Sequence, residues 1–293
     1  MSRIQRILTV AMVSVLLALA SCGQEGVEPA RTETVPGVPA TEIETKNDTE
    51  TEEMRATDTE TESPETDGEV QTMRPDTETE KSTETDAARV KRIEVTNILQ
   101  NPELPTGCET VSLTILLNHL GFRADKMDLA RYYLPKMDFY WKDGELYGAD
   151  FRTTFAGNPE SDSSYGCYAP CIVQTANSFL WTAGKDAKAY DLTGTPLEDL
   201  LHTYIDKDMP VLIWITSSNL HETRLTTIWT TPEGEKLQWI AYEHCVVLTG
   251  YDLDKGLIYV SDPLVGNTSY NLERLKARYG DLGQQAVRVD PEG

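Results

Sequence analysis

Cys108 lies in the run Gln100-Asn-Pro-Glu-Leu-Pro-Thr-Gly-Cys-Glu-Thr110, at what reads as the first turn of a helix. A thiol there meets unpaired backbone N–H groups and the positive end of the helix macrodipole, and both favour thiolate over thiol. The chemistry such a group performs is nucleophilic attack on a carbonyl. The competing reading is a buried structural cysteine. The local pattern predicts Thr106 as N-cap, Gly107 and Cys108 at the next two positions, and Glu109 at N3, closing a capping box. Leu113, Leu116, Leu117 and Leu120 continue as an apolar stripe that ends before Gly121.

A nucleophilic cysteine needs a base, and the chain has four histidines. His119 is eleven residues along the same helix, about 16 Å away at 1.5 Å per residue, which is out of reach. His202 sits in Asp199-Leu-Leu-His-Thr-Tyr204 and reads as a solvated helix face. His221 falls in the polar stretch Ser217–Arg224, where a loop could carry it into a site. His244 opens the apolar strand Cys245-Val-Val-Leu-Thr-Gly-Tyr251, either as a satisfied core histidine or as a base presented at a sheet end. The turn Asp252-Leu-Asp-Lys-Gly256 then leads into a second strand, Leu257–Ser261. If the turn pairs Asp252 with Gly256, Val246 falls opposite Asp262. Asp262 then becomes the diagonal neighbour of His244 on one face and could orient its ring. A slip of one residue would put the two on opposite faces.

The elements that must position these residues read as α+β. The helix at 108–120 is followed by helical candidates over Asp125–Tyr133 and Tyr168–Gly184. From Pro210 the pattern changes to strands, over Val211–Thr216, Leu225–Thr230 and Lys236–Ala241, then the hairpin. A short helix over Tyr270–Tyr279 and a last strand over Gln285–Val289 complete the domain. Asp138–Ser164, with Trp141, Tyr147, Phe151 and Phe155 among polar residues, reads as an insertion over a cleft. The aromatics Tyr140, Trp141, Trp214, Trp229 and Trp239 could line a groove or fill a core.

Residues 88–293 make up this one domain, and what precedes it is of different character. Arg3 and Arg6, the apolar stretch Ile7–Ala20 and Leu19-Ala20-Ser21-Cys22 describe residues 1–22 as an export signal too short to span a membrane. The tetrapeptide resembles a bacterial lipobox, which implies diacylation of Cys22 and anchoring at the extracellular face of the cell membrane. Residues 23–87 are rich in Thr and Glu and lack aromatics. Within them Gln24–Ala87 carries 20 acidic and 5 basic residues. Of the total charge of −22, −15 belongs to this stretch, leaving −9 for residues 88–293 once the +2 of the signal is allowed for. Such a segment reads as a disordered acidic stalk. The acidity therefore says little about a substrate. No phosphate loop, basic stripe or repeat is present after residue 88, so nucleotide and nucleic-acid partners are not expected.

Leu104-Pro-Thr-Gly-Cys-Glu109, Glu243-His-Cys-Val-Val-Leu-Thr-Gly-Tyr-Asp252 and Val260-Ser-Asp-Pro-Leu264 together resemble the papain-like cysteine peptidases related to the bacteriocin-processing, double-glycine-leader peptidases. The likeness is to their free-standing, exported lipoprotein branch and runs over residues 93–290. It takes in Tyr165-Gly-Cys-Tyr-Ala-Pro170 and Met209-Pro-Val-Leu-Ile-Trp214. The resemblance implies a papain-like fold in which an N-terminal helix bears the Cys and an antiparallel sheet bears the His and Asp. Carried over by position, Cys108 is the nucleophile, His244 the general base and acid, and Asp262 the orienting carboxylate. Gln100 matches the upstream glutamine that helps stabilise an oxyanion, although it stands slightly farther from the Cys than in transporter-fused members. The implied activity is peptide-bond hydrolysis through a thioester, on a peptide or protein substrate, by a monomer that needs no metal or other cofactor.

Three function classes follow: an active peptidase, a cell-wall peptide hydrolase or transamidase on the same scaffold, and a catalytically silent peptide-binding lipoprotein. Cys167 and Cys171, four apart, could form a disulfide in an exported protein, although such spacing strains the bridge. A zinc site from Cys167, Cys171 and a histidine is the less favoured alternative, since no second close pair of ligands is evident. Cys245 reads as buried core on the face opposite His244.

Overall fold

The computed structural model describes residues 89–293, and the proposed signal, lipidated Cys22 and acidic stalk lie outside them. The organising element is a seven-stranded antiparallel sheet. Its strands are β1 (Val90–Arg92), β2 (Lys188–Asp191), β3 (Val211–Thr216), β4 (Glu243–Asp252), β5 (Leu257–Asp262), β6 (Gly266–Asn271) and β7 (Ala286–Asp290). The spatial order is β6-β5-β4-β3-β7-β2, with β1 pairing the far end of β4. The C-terminal strand β7 is thus an interior strand, flanked by β3 and β2. β3 and β4 are apolar and β-branched and are buried along almost their whole length, which puts the sheet centre in the core.

The helix α1 (Cys108–His119) packs on β4, and α2 (Ala169–Thr182) lies beside it. The sequence suggests an apolar stripe on α1, but every residue from Cys108 to Leu117 is buried. A helix enclosed on all sides must satisfy its polar side chains internally. Ser112 Oγ accordingly donates to the Cys245 carbonyl at 2.9 Å, and Thr114 Oγ1 to the Thr110 carbonyl at 2.8 Å. Gly121, at φ +87°, closes the helix as expected. Phe122 N–H reaches Leu117 O and Gly121 N–H reaches Asn118 O, the paired bonds of a left-handed C-terminal cap.

The helix N-terminus differs from expectation. Gly107, not Thr106, is the N-cap, and no side chain caps it. Thr106 Oγ1 donates to the Ser161 carbonyl instead, and Glu109 turns inward to accept the Cys167 N–H, so no capping box forms. Both side chains found partners more than fifty residues away in sequence, which a local pattern cannot register.

The segment read as an insertion builds a second, smaller core. Tyr140–Lys142 and Glu145–Tyr147 join Leu225–Thr230 and Lys236–Ile240 in a four-stranded sheet. Trp229 and Trp239 are buried there with Phe151 and Leu237, and Trp214 is buried in the main core, whereas Tyr140 and Trp141 are exposed. Among the described residues no helix is long and apolar enough to cross a membrane.

Candidate active site

The hairpin of β4 and β5 decides whether His244 and Asp262 can meet. Next to the turn Asp252 pairs with Leu257 and Gly250 with Tyr259, one residue out of step with the expected pairing. A β-bulge at Thr249 absorbs the difference, and beyond it Leu248 pairs with Val260 and Val247 with Ser261. Side-chain facing alternates every residue, so this one extra residue restores the face shared by His244 and Asp262. The expected register therefore holds at the site although it is off by one at the turn. His244 Nε2 lies 2.8 Å from Asp262 Oδ1, and both residues are only 2 % exposed.

Asp262 is held from three sides. Besides His244, the Leu264 N–H donates to Oδ1 at 2.7 Å and the Tyr270 hydroxyl to Oδ2 at 2.7 Å. Burial works to raise the carboxyl pKa, but these donors outweigh it, with the His244 bond largest, and leave it below the usual carboxylate range. Tyr270, from the neighbouring β6, escaped the sequence reading because β6 (Gly-Asn-Thr-Ser-Tyr-Asn) has little strand signal. Its hydroxyl is pushed up to a high pKa by burial and the Asp262 charge, so it remains a donor.

Cys108 starts α1, and the Cys245 N–H contacts its Sγ at 3.5 Å. Together with the Ser112–Cys245 bond this docks the first turn of the helix against the strand bearing His244. Cys108, His244 and Gln100 line one cavity of about 230 Å³, which Trp239, Tyr242 and Leu264 help to enclose. Gln100 is buried, with Nε2 donating to the Pro105 carbonyl at 2.7 Å and Oε1 unpartnered. The His244 bond to Asp262 uses Nε2, which leaves Nδ1 for the thiol.

The thiol itself is not poised as the helix N-terminus suggested. It donates to Glu109 Oε2 at 3.3 Å and makes no hydrogen bond to His244. Burial foremost, then the Glu109 and Glu243 carboxyls, raises its pKa well above the ordinary thiol value. Removal from water outweighs the helix terminus. Glu109 and Glu243 were missed as site residues. The signal was their position in the chain, each directly beside a proposed catalytic residue, as Cys108-Glu109 and Glu243-His244.

Of the other candidates, His202 pairs with Asp206 on an exposed face, and His221 is exposed and stacks on Tyr242 with ring centroids 4.6 Å apart. Cys167 and Cys171 are free buried thiols, not a disulfide. Cys167 precedes the helix and Cys171 sits in its first turn, and the two side chains contact each other there. No histidine joins them in a metal-sized group among the described residues. Cys245 is buried core, as read.

A buried helix presenting a cysteine to an antiparallel sheet that carries a paired histidine and aspartate defines a papain-like α+β protein. The chain belongs to the Peptidase_C39 like family, whose model matches residues 92–287. It is 30% identical over 194 residues to the uncharacterized protein YvpB of Bacillus subtilis (strain 168), covering 66% of this chain and 72% of that one. It is 32% identical, with a TM-score of 0.57, to a crystal structure described as a C39-like peptidase from Bacillus anthracis, covering 68% of this chain and 97% of that one. A double-glycine motif protease from an AMS/PCAT transporter, solved with its leader peptide, is 16% identical at a TM-score of 0.39 over 69% of this chain and 94% of its own. That last likeness is too remote to carry an argument.

Proposed function

We propose that this protein is an exported cysteine peptidase, tethered at the extracellular face of the cell membrane through a lipid on Cys22 and cleaving peptide substrates. The buried His244–Asp262 bond on Nε2, with Cys108 in the same cavity, is the observation that carries the reading. Rotation of the thiol from Glu109 toward His244 Nδ1 lets the imidazole take its proton. The thiolate attacks the substrate carbonyl and forms a thioester, His244 returns the proton to the leaving amine, and water releases the acyl group. The Cys108 backbone N–H, on the first helical residue, has no intrahelical acceptor and can face the oxyanion. The second N–H of the Gln100 amide can join it.

A peptide mixture incubated with the purified protein, and followed by mass spectrometry, tests this. Cleavage abolished in both Cys108→Ser and His244→Ala is the expected result. Products that survive in Cys108→Ser would sink the assignment. Added amine that captures the acyl group more efficiently than water would point to the transamidase. One observation favours a second reading, a silent peptide binder: the thiol rests on Glu109 rather than on His244. Retained peptide with no product from the native chain would support it.

A further inference from the structure

Two carboxyls flank Cys108, one on a buried residue and one on a half-buried residue, and the peptidase chemistry above leaves both without a task. Glu109 is fully buried, accepts the Cys167 N–H on Oε1 at 2.6 Å and faces the Cys108 thiol with Oε2. Glu243 enters from β4, and its Oε1 has no hydrogen-bond partner. The two converge on Gly166, where an added methyl would lie 2.4 Å from Glu109 Oε1 and 2.8 Å from Glu243 Oε2. One oxygen of each carboxyl and the Cys108 sulfur lie within 4.8 Å of one another.

The titratable groups facing this cluster are Cys108 on α1, Cys245 on β4, and Cys167 and Tyr168 at the start of α2. The small sheet contributes the neutral Trp239. No basic side chain acts on either carboxyl. Two neighbouring carboxylates without a counter-charge disfavour each other's ionisation. Burial pushes Glu109 up to about 7, and burial together with the Glu109 charge pushes Glu243 well above its ordinary value. Glu109 therefore changes form around neutrality.

We propose that Glu109 is a positioning residue that latches the Cys108 thiol as a carboxylate and releases it to His244 as a carboxylic acid. As a carboxylate it accepts the S–H and holds the sulfur turned away from the imidazole. As an acid it has a hydrogen of its own to donate. The thiol proton then passes to His244 Nδ1, the Glu109 O–H bonds to the resulting thiolate, and the site gains or loses no proton. The inference rests on Cys108 being the nucleophile.

The test is the rate of iodoacetamide labelling at Cys108 in the full chain, read by mass spectrometry between about pH 5 and about pH 8.5, for the native protein, Glu109→Gln and His244→Ala. Glutamine keeps an acceptor for the Cys167 N–H and offers an N–H donor to sulfur at every pH. The ratio of the glutamine variant's rate to the native rate should be near one in acid. It should climb through about pH 7 to roughly tenfold, the factor equivalent to one pKa unit. A flat ratio, or a variant slower throughout, overturns the latch. Infrared spectra of the native protein give a reading that does not depend on the variant folding. A carboxylic acid C=O band should disappear near pH 7 as the Cys108 S–H band shifts, and an S–H band indifferent to that change overturns the latch as well. Equal labelling of the native protein and His244→Ala would instead sink the nucleophile assignment. Dependence on His244 without dependence on Glu109 would sink only the latch.

Discussion

Replacing Asp262 with asparagine separates the charge of this group from its shape. The carboxylate accepts from the His244 ring at 2.8 Å, the Leu264 N–H at 2.7 Å and the Tyr270 hydroxyl at 2.7 Å. In Asp262→Asn the amide oxygen can keep the first two bonds, but its NH₂ faces Tyr270, whose hydroxyl must turn from donor to acceptor. Hydrogen bonds to a charged group contribute about 1.5–3 kcal/mol and neutral ones about 0.5–1.5, so roughly 1 kcal/mol is lost per bond, about 3 kcal/mol in all. For a domain of this size that is a fall of roughly 6–12 °C in Tm. The native pKa of Asp262 is depressed, so its stabilisation is fully present above the unfolded-state pKa of about 3.9 and is lost as pH falls through the lower native value. The variant has no carboxylate to protonate. Melting followed by circular dichroism at neutral pH and again in acid should therefore show a gap between the two proteins that closes as pH falls through the depressed native value. Equal melting temperatures at neutral pH, or a gap undiminished in acid, would refute the argument.

Three further outcomes follow from packing. Gly250 lies so close to β1 that a Cβ would sit 2.2 Å from the Lys91 carbonyl. Gly250→Ala should expel β1, lower the denaturant midpoint by the equivalent of about 1–3 kcal/mol and speed amide exchange at residues 90–93, and unchanged protection there would contradict it. Trp214→Phe strips the 2.9 Å bond from Nε1 to the Cys167 carbonyl and leaves that carbonyl unpaired, at a cost of about 1–3 kcal/mol in chemical denaturation. Gly166→Ala drives a methyl into both carboxyls and should cost about 1–3 kcal/mol. Native-like stability of this variant would mean that the two side chains have room to part.

The parts of the fold that the sequence showed are those where one chemical pattern dominates. Val211–Thr216 and Leu225–Thr230 match their strands residue for residue because each is an apolar or β-branched run between turn residues. β1 is Val-Lys-Arg and β6 is mostly polar, so pairing with β4 and β5 makes them strands despite their composition. The pairing of His244 with Asp262 was legible from the spacing, but the route to it was not, since nothing in Leu248-Thr-Gly250 announces a bulge. The sequence left two readings of Cys108 open for a general reason: helix position is local, whereas the burial and the two carboxyls around its thiol come from the whole domain.

The place of β7 bears on when this protein becomes able to act. The last strand of the chain lies inside the sheet, between β3 and β2, so β3, the neighbour of the strand bearing His244, lacks one edge until the C-terminal residues arrive. A polypeptide emerging N-terminus first would display Cys108 long before His244 and Asp262, and β7 follows later still. For the exported protein proposed above, catalytic competence is thus deferred until residues 286–290 have emerged and joined the sheet. A chain halted before residue 244 would carry the thiol without the histidine and aspartate proposed to act on it, and one halted before residue 286 would carry all three on an incomplete sheet.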